Sequence, residues 1–388
     1  MMCRRSGIGL AIAVAFGLAA LYLSGAVGAQ GTPAREAAAT VRPLILSTPI
    51  TGATVGVQYR YRVRVRGGKA TALSLARSPA GMALDRRTRS ITWTPAAPGR
   101  FRVVLRARAG RRRAGQAFTL VVTRPPSPAP QIVLAAGDIA SCVGQGDEQT
   151  ATILDATPHD AVLTVGDNAY DAGTPSEFSS CYAPSWGRHL SVTRPSPGNH
   201  DYATSGARGY FGYFGAAAGP STAGYYSFDV GAWHLVALNS EIDAGSSSPQ
   251  MAWLRADLAA TSKRCVVAYW HKPRFTAGRY HDFTQYTALW QALHAAGAEI
   301  VLNGHDHNYQ RFVSMTPAGV ADPAGIRQFV VGTGGVGHYA LRPDSRREAG
   351  VSGVFGVLRL ALSESSYEWR FLPVAGGSYA DAGSGTCR

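Results

Sequence analysis

Acidic residues are almost missing from one part of this 388-residue chain. Between Arg42 and Arg124 a single acid, Asp85, stands among 18 basic residues. Beyond Pro125 the balance reverses, with 22 acidic and 17 basic residues, although the whole chain carries a formal charge of +14. Two regions of opposite charge indicate two domains with different tasks.

Long apolar runs are also lacking, except at the start. Arg4 and Arg5 precede an apolar run that ends at about Leu23, and small residues lie just before Gln30. This layout predicts a signal peptide over residues 1–29, with a membrane anchor as the alternative because the run is close to the minimum spanning length. We therefore expect a secreted protein, extracellular or associated with the cell wall, that has no membrane span after cleavage.

Cysteine is scarce, and its use argues against a cysteine nucleophile. The chain has five cysteines, and four of them follow the predicted leader: Cys142, Cys181, Cys265 and Cys387. Four cysteines in an exported chain allow two disulfides in three possible pairings. We favour Cys142–Cys181 with Cys265–Cys387, and four free thiols are the alternative. No Gly-x-Ser-x-Gly turn occurs, so a serine hydrolase of that type is disfavoured as well.

The basic region, residues 42–124, is predicted to be a small antiparallel β-sandwich. Short stretches alternate polar and apolar residues between Gly- and Pro-containing turns, as in Tyr59–Val65, Phe101–Leu105 and Phe118–Val122. With its Pro-Ala-Gly-Met and Ile-Thr-Trp-Thr-Pro segments, the region resembles the Ig-like or cadherin-like modules that are attached to bacterial surface enzymes.

Four arginines alternate along the first of these stretches, at positions 60, 62, 64 and 66. On one strand they would share a face. Such a face could hold a polyanion, such as an anionic cell-wall polymer, or could simply be solvated, and both interpretations stay open. No aromatic stacking platform interleaves these arginines, so we predict no dedicated nucleic-acid partner.

A Pro-rich linker at residues 125–130 precedes a predicted α/β catalytic domain at 131–376, followed by a C-terminal tail at 377–388. In this domain apolar runs of strand length alternate with segments of helical spacing. The predicted strands are Ile132–Ala136, Ala161–Val165, His234–Leu238, Val266–Tyr269 and Glu299–Leu302, the predicted helices are Gln250–Ala260 and Phe283–Ala296, and further strands are expected between Val354 and Phe371.

Five segments at predicted strand ends carry oxygen or nitrogen ligands for a metal. In most of them a glycine precedes the ligand, which allows the backbone to turn sharply and approach an ion. Each signal is weak by itself, because Gly-Asp and Asn-His pairs are common in turns. Their joint occurrence predicts a metal site. The segments are Gly137-Asp138, Gly166–Tyr170, Gly198–Asp201, Trp270-His271 and Gly304–His307.

In this order the segments resemble the metallophosphoesterase superfamily and, within it, the purple acid phosphatases. The family pattern is GDxG, GDxxY, GNH(D/E), a single His and GHxHxYxR. The resemblance extends from Gln131 to about Phe371 and implies a four-layer αββα sandwich. Ala140 stands where most of the superfamily has His, and the phenol of Tyr170 would replace that ligand.

The resemblance implies two metal ions, Fe(III) together with Fe(II), Zn(II) or Mn(II), since carboxylate and phenolate oxygens suit the trivalent ion. Asp167 would bridge the two ions. The first ion would be held by Asp138, Asp167, Tyr170 and His307, and the second by Asp167, Asn199, His271 and His305.

The implied activity is hydrolysis of phosphate monoesters by in-line attack of a metal-bound hydroxide. His200 would stabilise the transition state, because the corresponding family residue faces the phosphate. His281 is a candidate for protonating the leaving group, with a surface-loop histidine as the alternative.

Four other polar residues in the motifs are expected to have supporting roles. Asp201 and Asp306 are predicted to orient ligating imidazoles rather than to bind metal. Tyr309 and Arg311 are predicted to support their loop rather than to contact substrate.

Two other functions remain open at this point. A phosphodiesterase of the same superfamily would use the same metals, and the wall of its pocket could come from the Gly- and Tyr-rich residues between Tyr202 and Tyr226. The second is a cell-surface polyanion-binding protein in which the basic module does the binding and the metal domain is inactive.

Overall fold

A computed structural model describes residues 42–67 and 71–388. The predicted signal peptide at residues 1–29 lies outside the described residues. The chain divides after Pro125 into two compact units, an N-terminal and a C-terminal unit.

The N-terminal unit is all β. A four-stranded sheet of order β2-β9-β8-β5 and a three-stranded sheet of order β3-β7-β6 enclose a core that includes Tyr61, Ile91 and Leu105. A third, two-stranded sheet joins β1 to β4. The strands are β1 (Leu44–Ile45), β2 (Gly52–Thr54), β3 (Tyr59–Arg62), β4 (Val65–Arg66), β5 (Ala72–Arg77), β6 (Ala83–Asp85), β7 (Ser90–Trp93), β8 (Gly99–Ala109) and β9 (Arg112–Thr123).

The prediction that the arginines at positions 60, 62, 64 and 66 lie on a single strand is wrong. Strand β3 ends at Arg62, which pairs with Ser90, the first residue of β7. Beyond Arg62 one further backbone bond, from the N–H of Val63 to the carbonyl of Arg89, continues this pairing, and Val65–Arg66 then pairs with β1. Arg60 and Arg62 therefore share a face of one sheet, whereas Arg66 belongs to another.

The C-terminal unit contains two larger sheets, of six and seven strands, and a two-stranded sheet, β11-β13. The six-stranded order is β14-β12-β10-β22-β23-β24 and the seven-stranded order is β15-β16-β17-β18-β20-β19-β21. The strands are β10 (Gln131–Ala136), β11 (Ala140–Ser141), β12 (Ala161–Val165), β13 (Ala169–Tyr170), β14 (Thr193–Ser196), β15 (Tyr226–Val230), β16 (Trp233–Ala237), β17 (Cys265–Tyr269), β18 (Ile300–Asn303), β19 (Tyr309–Met315), β20 (Ile326–Val331), β21 (Arg347–Val351), β22 (Gly356–Leu362), β23 (Ser366–Pro373) and β24 (Ala382–Thr386).

Six α-helices accompany these sheets. They are α1 (Gly146–Ala156), α2 (Pro175–Glu177), α3 (Asn199–Ala203), α4 (Arg208–Phe214), α5 (Pro249–Ala260) and α6 (Thr287–Ala295). Within residues 42–67 and 71–388, no helix is long and apolar enough to cross a membrane.

The layers follow from the alternation of side chains along the strands. Leu235 and Val267 of the seven-stranded sheet join the core shared with the six-stranded sheet. Their neighbours Val236 and Val266 face the opposite way and pack in the core formed with α5 and α6. Helix α1 packs on the other side, against β22. The four-layer αββα prediction, preceded by a small β-sandwich, is confirmed.

The predicted C-terminal tail is part of the sheet. Strand β24 pairs antiparallel with β23, so the ordered unit continues past residue 376. The glycines of this stretch have a packing role. A Cβ atom at Gly383 would collide with Trp369, and one at Gly385 would collide with Tyr367. Glycine lets the edge strand lie directly on these rings.

Both favoured disulfides are confirmed. Cys142 pairs with Cys181, with 5.1 Å between the Cα atoms, and Cys265 pairs with Cys387, with 5.4 Å. Both distances lie in the usual range for a disulfide. The second bond ties the chain beyond β24 to the start of β17.

Candidate metal centre

The candidate ligands lie at the carboxyl ends of parallel strands from both large sheets. Strands β10, β12 and β14 are parallel to each other, as are β17 and β18. Parallel strands end at the same edge of a sheet. Asp138, Asp167 and Asn199 follow the first three strands, and His271 and His305 follow the other two. Two adjacent sheet edges thus deliver all five loops to one place.

Three of these ligand residues have a left-handed backbone. The φ angle is +59° at Asp138, +51° at Asp167 and +70° at His305. This region is unfavourable for residues with a Cβ atom and is concentrated at functional sites. At Asp138 and His305 the ligand residue rather than the preceding glycine therefore makes the turn, whereas at Asp167 both Gly166 and the ligand have a positive φ.

The glycines next to these residues leave room for other ligands. A Cβ at Gly166 would lie 2.5 Å from the His271 ring, and one at Gly304 would lie 2.7 Å from Oδ2 of Asp138. Neither distance is compatible with a real side chain. Glycine is thus required by close approach, as the sequence suggested.

One group of donors surrounds the phenol of Tyr170. Its hydroxyl lies 2.9 Å from Oδ1 of Asp138, 3.0 Å from Oδ2 of Asp167 and 3.3 Å from Nε2 of His307. Nε2 of His307 is also 3.2 Å from Oδ1 of Asp138. The four residues expected at the first ion are therefore in mutual contact.

A second group lies on the other side of Asp167. Oδ2 of Asp167 is 3.0 Å from Nε2 of His271, which is 3.2 Å from Nδ1 of His305. Atoms of these three residues lie within 4.8 Å of one another, close enough to hold one ion. Beside them, the backbone N–H of His200 donates to Oδ1 of Asp167 at 2.7 Å, and the preceding residue is Asn199.

The donors fit a pair of cations. Asp138 and Asp167 are almost fully buried, and buried carboxylates need positive partners. Oδ1 of Asn199 and Nδ1 of His307 are buried without a hydrogen-bond partner among the described residues. The unpaired amide oxygen of Asn199, which lies near the carboxylate of Asp167, is suited to contact a metal. The mixture of oxygen and imidazole donors suits transition metals.

The two carboxylates are held ionised by the neighbouring imidazoles. Burial raises the pKa of Asp138, but His307 and His271 outweigh it and the pKa falls below its usual range. Burial likewise raises the pKa of Asp167, but the charge and hydrogen bond of His271 outweigh this effect. The pKa of Asp167 therefore also lies below its usual range. The protein thus maintains two buried negative charges.

The pKa values of the two imidazoles near Asp167 are shifted in opposite directions. Burial lowers the pKa of His271, but Asp167 raises it to about 10 overall. Burial, followed by the charge of His271, lowers the pKa of His305 to about 3. The imidazole nearest the shared carboxylate thus holds a proton where a metal ion would otherwise bind.

His200 lies beside the candidate metal ligands, and one of its ring nitrogens already forms a hydrogen bond. Its Nδ1 is 2.6 Å from the carbonyl oxygen of Asp171, so Nδ1–H donates there. Its Nε2 is 3.9 Å from Oδ2 of Asp167, and the side chain is 36% exposed. The ring lies 4.2 Å from that of Tyr170. His200 can therefore reach both the cluster and a molecule arriving from solvent.

His281 does not contact the predicted ligands. It is exposed, and its Nδ1 lies 3.1 Å from a guanidinium nitrogen of Arg342. A guanidinium can only donate, so Nδ1 accepts and the proton of a neutral ring is on Nε2. The neighbouring Tyr280 stacks on His305 at 4.2 Å. A role in protonating the leaving group stays a prediction.

Asp201 and Asp306 accept hydrogen bonds mainly from backbone N–H groups and not from the ligating imidazoles. The prediction that they orient these imidazoles is therefore wrong. Asp201 accepts from the N–H of Gly198 at 2.8 Å and from the side chain of Asn168 at 2.9 Å. Asp306 accepts from the N–H of Arg279 at 2.6 Å. A buried carboxylate close to loop N–H groups is best satisfied by them. Both residues therefore position ligand loops.

Tyr309 and Arg311 support structure, as expected. The Tyr309 hydroxyl donates to Asp381 at 2.7 Å, and Nε of Arg311 donates to the same carboxylate at 2.8 Å. Asp381 immediately precedes β24. These contacts anchor the edge of the six-stranded sheet rather than a ligand.

Two tyrosines and an arginine near the cluster were missed by the sequence reasoning. Tyr339 stacks on His307 at 4.1 Å with an angle of 9° between the rings. The guanidinium of Arg279 lies over Tyr339 at 4.9 Å, and Tyr280 covers His305. No motif marks these residues, because their proximity to the ligands arises only from folding.

The segment considered as a pocket wall, Tyr202 to Tyr226, contributes several aromatic side chains to the core. Tyr210, Phe214 and Tyr226 are buried and belong to the cluster between the sheets. These three aromatic residues therefore stabilise the fold, and a role of the exposed part of the segment as a pocket wall stays a prediction.

Comparison with known proteins supports this architecture. Residues 127–309 match a family model described as "Calcineurin-like phosphoesterase", and residues 42–123 match one described as "Putative Ig domain". Purple acid phosphatase 15 of Arabidopsis thaliana is 28% identical over 255 residues, which cover 56% of this chain and 47% of that protein. Purple acid phosphatase 21 of the same plant is 30% identical over 237 residues, covering 54% and 51%.

The chain thus spans about half the length of these curated relatives. Among solved structures, a purple acid phosphatase from yellow lupin seeds matches with a TM-score of 0.54 and 15% identity, over 88% of this chain and 74% of that one. At this identity the likeness concerns the fold alone.

Proposed function

We propose, on the basis of the match of residues 127–309 to the calcineurin-like phosphoesterase model, that the protein hydrolyses phosphate monoesters at a pair of metal ions. The observation that supports the proposal is that the candidate ligands lie together in the folded protein. Side chains from five separate strand ends meet around Asp167, which contacts Tyr170 on one side and His271 on the other.

The metal pair would be held by the seven residues expected from the sequence. Bound there, two metal ions supply Lewis-acid stabilisation of the phosphoryl oxygens and lower the pKa of the attacking water. Tyr170 favours Fe(III) for one position because a phenolate is a hard oxygen donor, and Fe(II), Zn(II) or Mn(II) suits the position with two imidazoles.

His200 is the residue of the chain best placed to act on the phosphoryl group. Its Nδ1–H is used by the carbonyl of Asp171, so Nε2 can donate to a phosphoryl oxygen only when the ring is protonated. A donor already fixed in position stabilises developing charge without reorganisation.

We further propose that the protein is secreted. Two disulfides, Cys142–Cys181 and Cys265–Cys387, support this location, because disulfides persist mainly in oxidising compartments. The supporting observation is independent of the predicted leader.

Turnover of two chromogenic esters tests the activity directly. We expect purified, metal-loaded protein to hydrolyse p-nitrophenyl phosphate faster than bis(p-nitrophenyl) phosphate. Asp167→Asn should abolish the activity, since one carboxylate serves both donor groups. Asp243→Asn is the matched control, because Asp243 is exposed and only caps a turn by accepting from Gly245.

The other outcomes identify the rival functions. Preference for the bis ester would indicate a phosphodiesterase. Bound metal with no turnover on any phosphate ester would overturn the proposal and favour a surface-binding protein. Equal activity of Asp167→Asn and Asp243→Asn would show that the reaction occurs elsewhere.

A further inference from the structure

The central strand of the four-stranded N-terminal sheet carries a row of arginines on its outer face. Along β8 the residues Val103, Leu105 and Ala107 are buried, and successive side chains of a strand point to opposite faces. The outward-facing residues are exposed arginines, interrupted only by Val104, and they are Arg100, Arg102, Arg106 and Arg108.

The strands on either side extend this surface without opposing its charge. Arg108 lies opposite Arg113 of β9, and Arg106 lies opposite Gly115. On the other side, Ser74 of β5 faces Arg106. The acid of the region, Asp85, is in β6, which belongs to the other sheet. The basic face, defined as the four arginines of β8 with Arg113, is therefore of one sign.

These guanidiniums have no acidic partners within the described residues. Arg108 donates to the carbonyl of Gly110 at 2.8 Å, and no member of the basic face forms a salt bridge there. By contrast, Arg188 of the C-terminal unit is paired with Glu148 and Asp155. Like charges placed directly opposite in a sheet, as at Arg108 and Arg113, are destabilising. An anionic ligand would relieve this repulsion.

We propose that the basic face binds an extended phosphodiester polymer without bases, of the poly(glycerol phosphate) type. Arginines two residues apart on a strand lie about 7 Å from each other, so the row suits a chain whose charges recur at regular intervals. A guanidinium fork matches the oxygens of a phosphate group.

Two features of the face disfavour nucleic acid as the ligand. The aromatic side chains of these strands, Phe101 and Phe118, pack in the core of the unit, so no platform for stacking bases lies among the arginines. The surface is the face of a β-sheet, and the described residues of the unit contain no helix that could enter the major groove of a duplex.

The experiment measures binding of full-length protein to poly(glycerol phosphate) as a function of salt. The variant Arg102→Gln/Arg106→Gln removes two charges from the basic face. Its matched control, Arg60→Gln/Arg62→Gln, removes the same charge from exposed positions on β3, in the other sheet. Circular dichroism and urea unfolding of both variants establish that each is folded.

We expect the first variant to weaken binding at least 10-fold, whereas the control changes it less than about twofold. The slope of log K against log salt should become shallower by about two in the first variant only, since each lost phosphate contact removes about one unit. Equal weakening in both variants would mean that net charge alone attracts the polymer, and would overturn the proposal.

Absence of binding at low salt, or tighter binding of duplex DNA than of poly(glycerol phosphate), would also overturn it. Because the readout is binding by the N-terminal unit, the result does not depend on the phosphatase proposal. A protein inactive on phosphate esters could still bind the polymer, and an active one could fail to bind.

Discussion

Replacement of Gly166 by alanine tests how closely the backbone surrounds the candidate metal ligands. Gly166 has a φ of +92°, and a Cβ atom there would lie 2.5 Å from Cβ, Cγ and Nδ1 of His271. The His271 ring is fully buried, and its Nδ1 is held 2.9 Å from the carbonyl of Val165. The ring cannot move away without losing this contact.

The expected cost has two parts. Alanine with a positive φ costs about 1–2 kcal/mol relative to glycine. Forcing an extra carbon into a packed site costs about 1–3 kcal/mol more. Gly206 separates the two parts, because its φ is +63° and no other atom lies within 4 Å of a Cβ built there. Gly206→Ala should therefore show only the first part.

Urea unfolding of the wild type and both variants provides the free energies of unfolding. We expect Gly206→Ala to lose about 1–2 kcal/mol and to keep full activity. Gly166→Ala should lose about 2–5 kcal/mol in total. Its turnover of p-nitrophenyl phosphate should fall by about 100-fold, because a displacement of about 1 Å at a reacting site has that effect.

The reasoning fails if the two variants have the same free energy of unfolding and the same turnover. Equal values would mean that His271 adapts freely to the added methyl group. In that case the position of the imidazole would not depend on glycine at residue 166.

Four further predictions concern separate features. Iron-loaded Tyr170→Phe should lose visible absorption, and a persisting band would exclude a phenolate ligand. Arg279→Gln should raise KM for phosphate esters with little change in Tm, since the exposed guanidinium contacts aromatic rings at the rim of the site, and an unchanged KM would place it outside the substrate path. Burial lowers the pKa of His234, but its two carboxylate partners outweigh this and raise it. The stabilisation is therefore complete below about pH 6.5 and is lost as pH rises through the folded pKa, so His234→Gln should lose more stability at pH 6 than at pH 9 in urea unfolding. Replacing Cys265 and Cys387 by serine opens a bond across a sequence separation of 122 and should lower the free energy of unfolding by about 4–5 kcal/mol in the same assay, a loss under about 1 kcal/mol being contrary to expectation.

The fold and the donor loops were accessible from sequence because both depend on local patterns. Apolar runs such as 161–165 have the length of a strand, and the glycine that follows most of these runs marks the turn. The order of Asp138, Asp167 and His305 along the chain then identifies loops that parallel strands bring to one edge. These features need no knowledge of distant contacts.

The features that sequence reasoning missed depend on partners far along the chain. Strand β3 ends at Arg62 because its partner β7 begins at Ser90, and the alternating pattern alone does not contain this register. The last strand, β24, has little apolar pattern of its own, and its glycines fit against Trp369 and Tyr367 only in the folded sheet. Likewise, Tyr339 reaches His307 only through folding.

The metal content of purified protein tests the central claim most directly. Measured by inductively coupled plasma mass spectrometry, the wild-type protein should contain two transition-metal ions per chain and Asp167→Asn almost none, because this carboxylate lies between both donor groups. Wild-type protein that hydrolyses phosphate esters with one ion or none would contradict the account, as would Asp167→Asn that retains both.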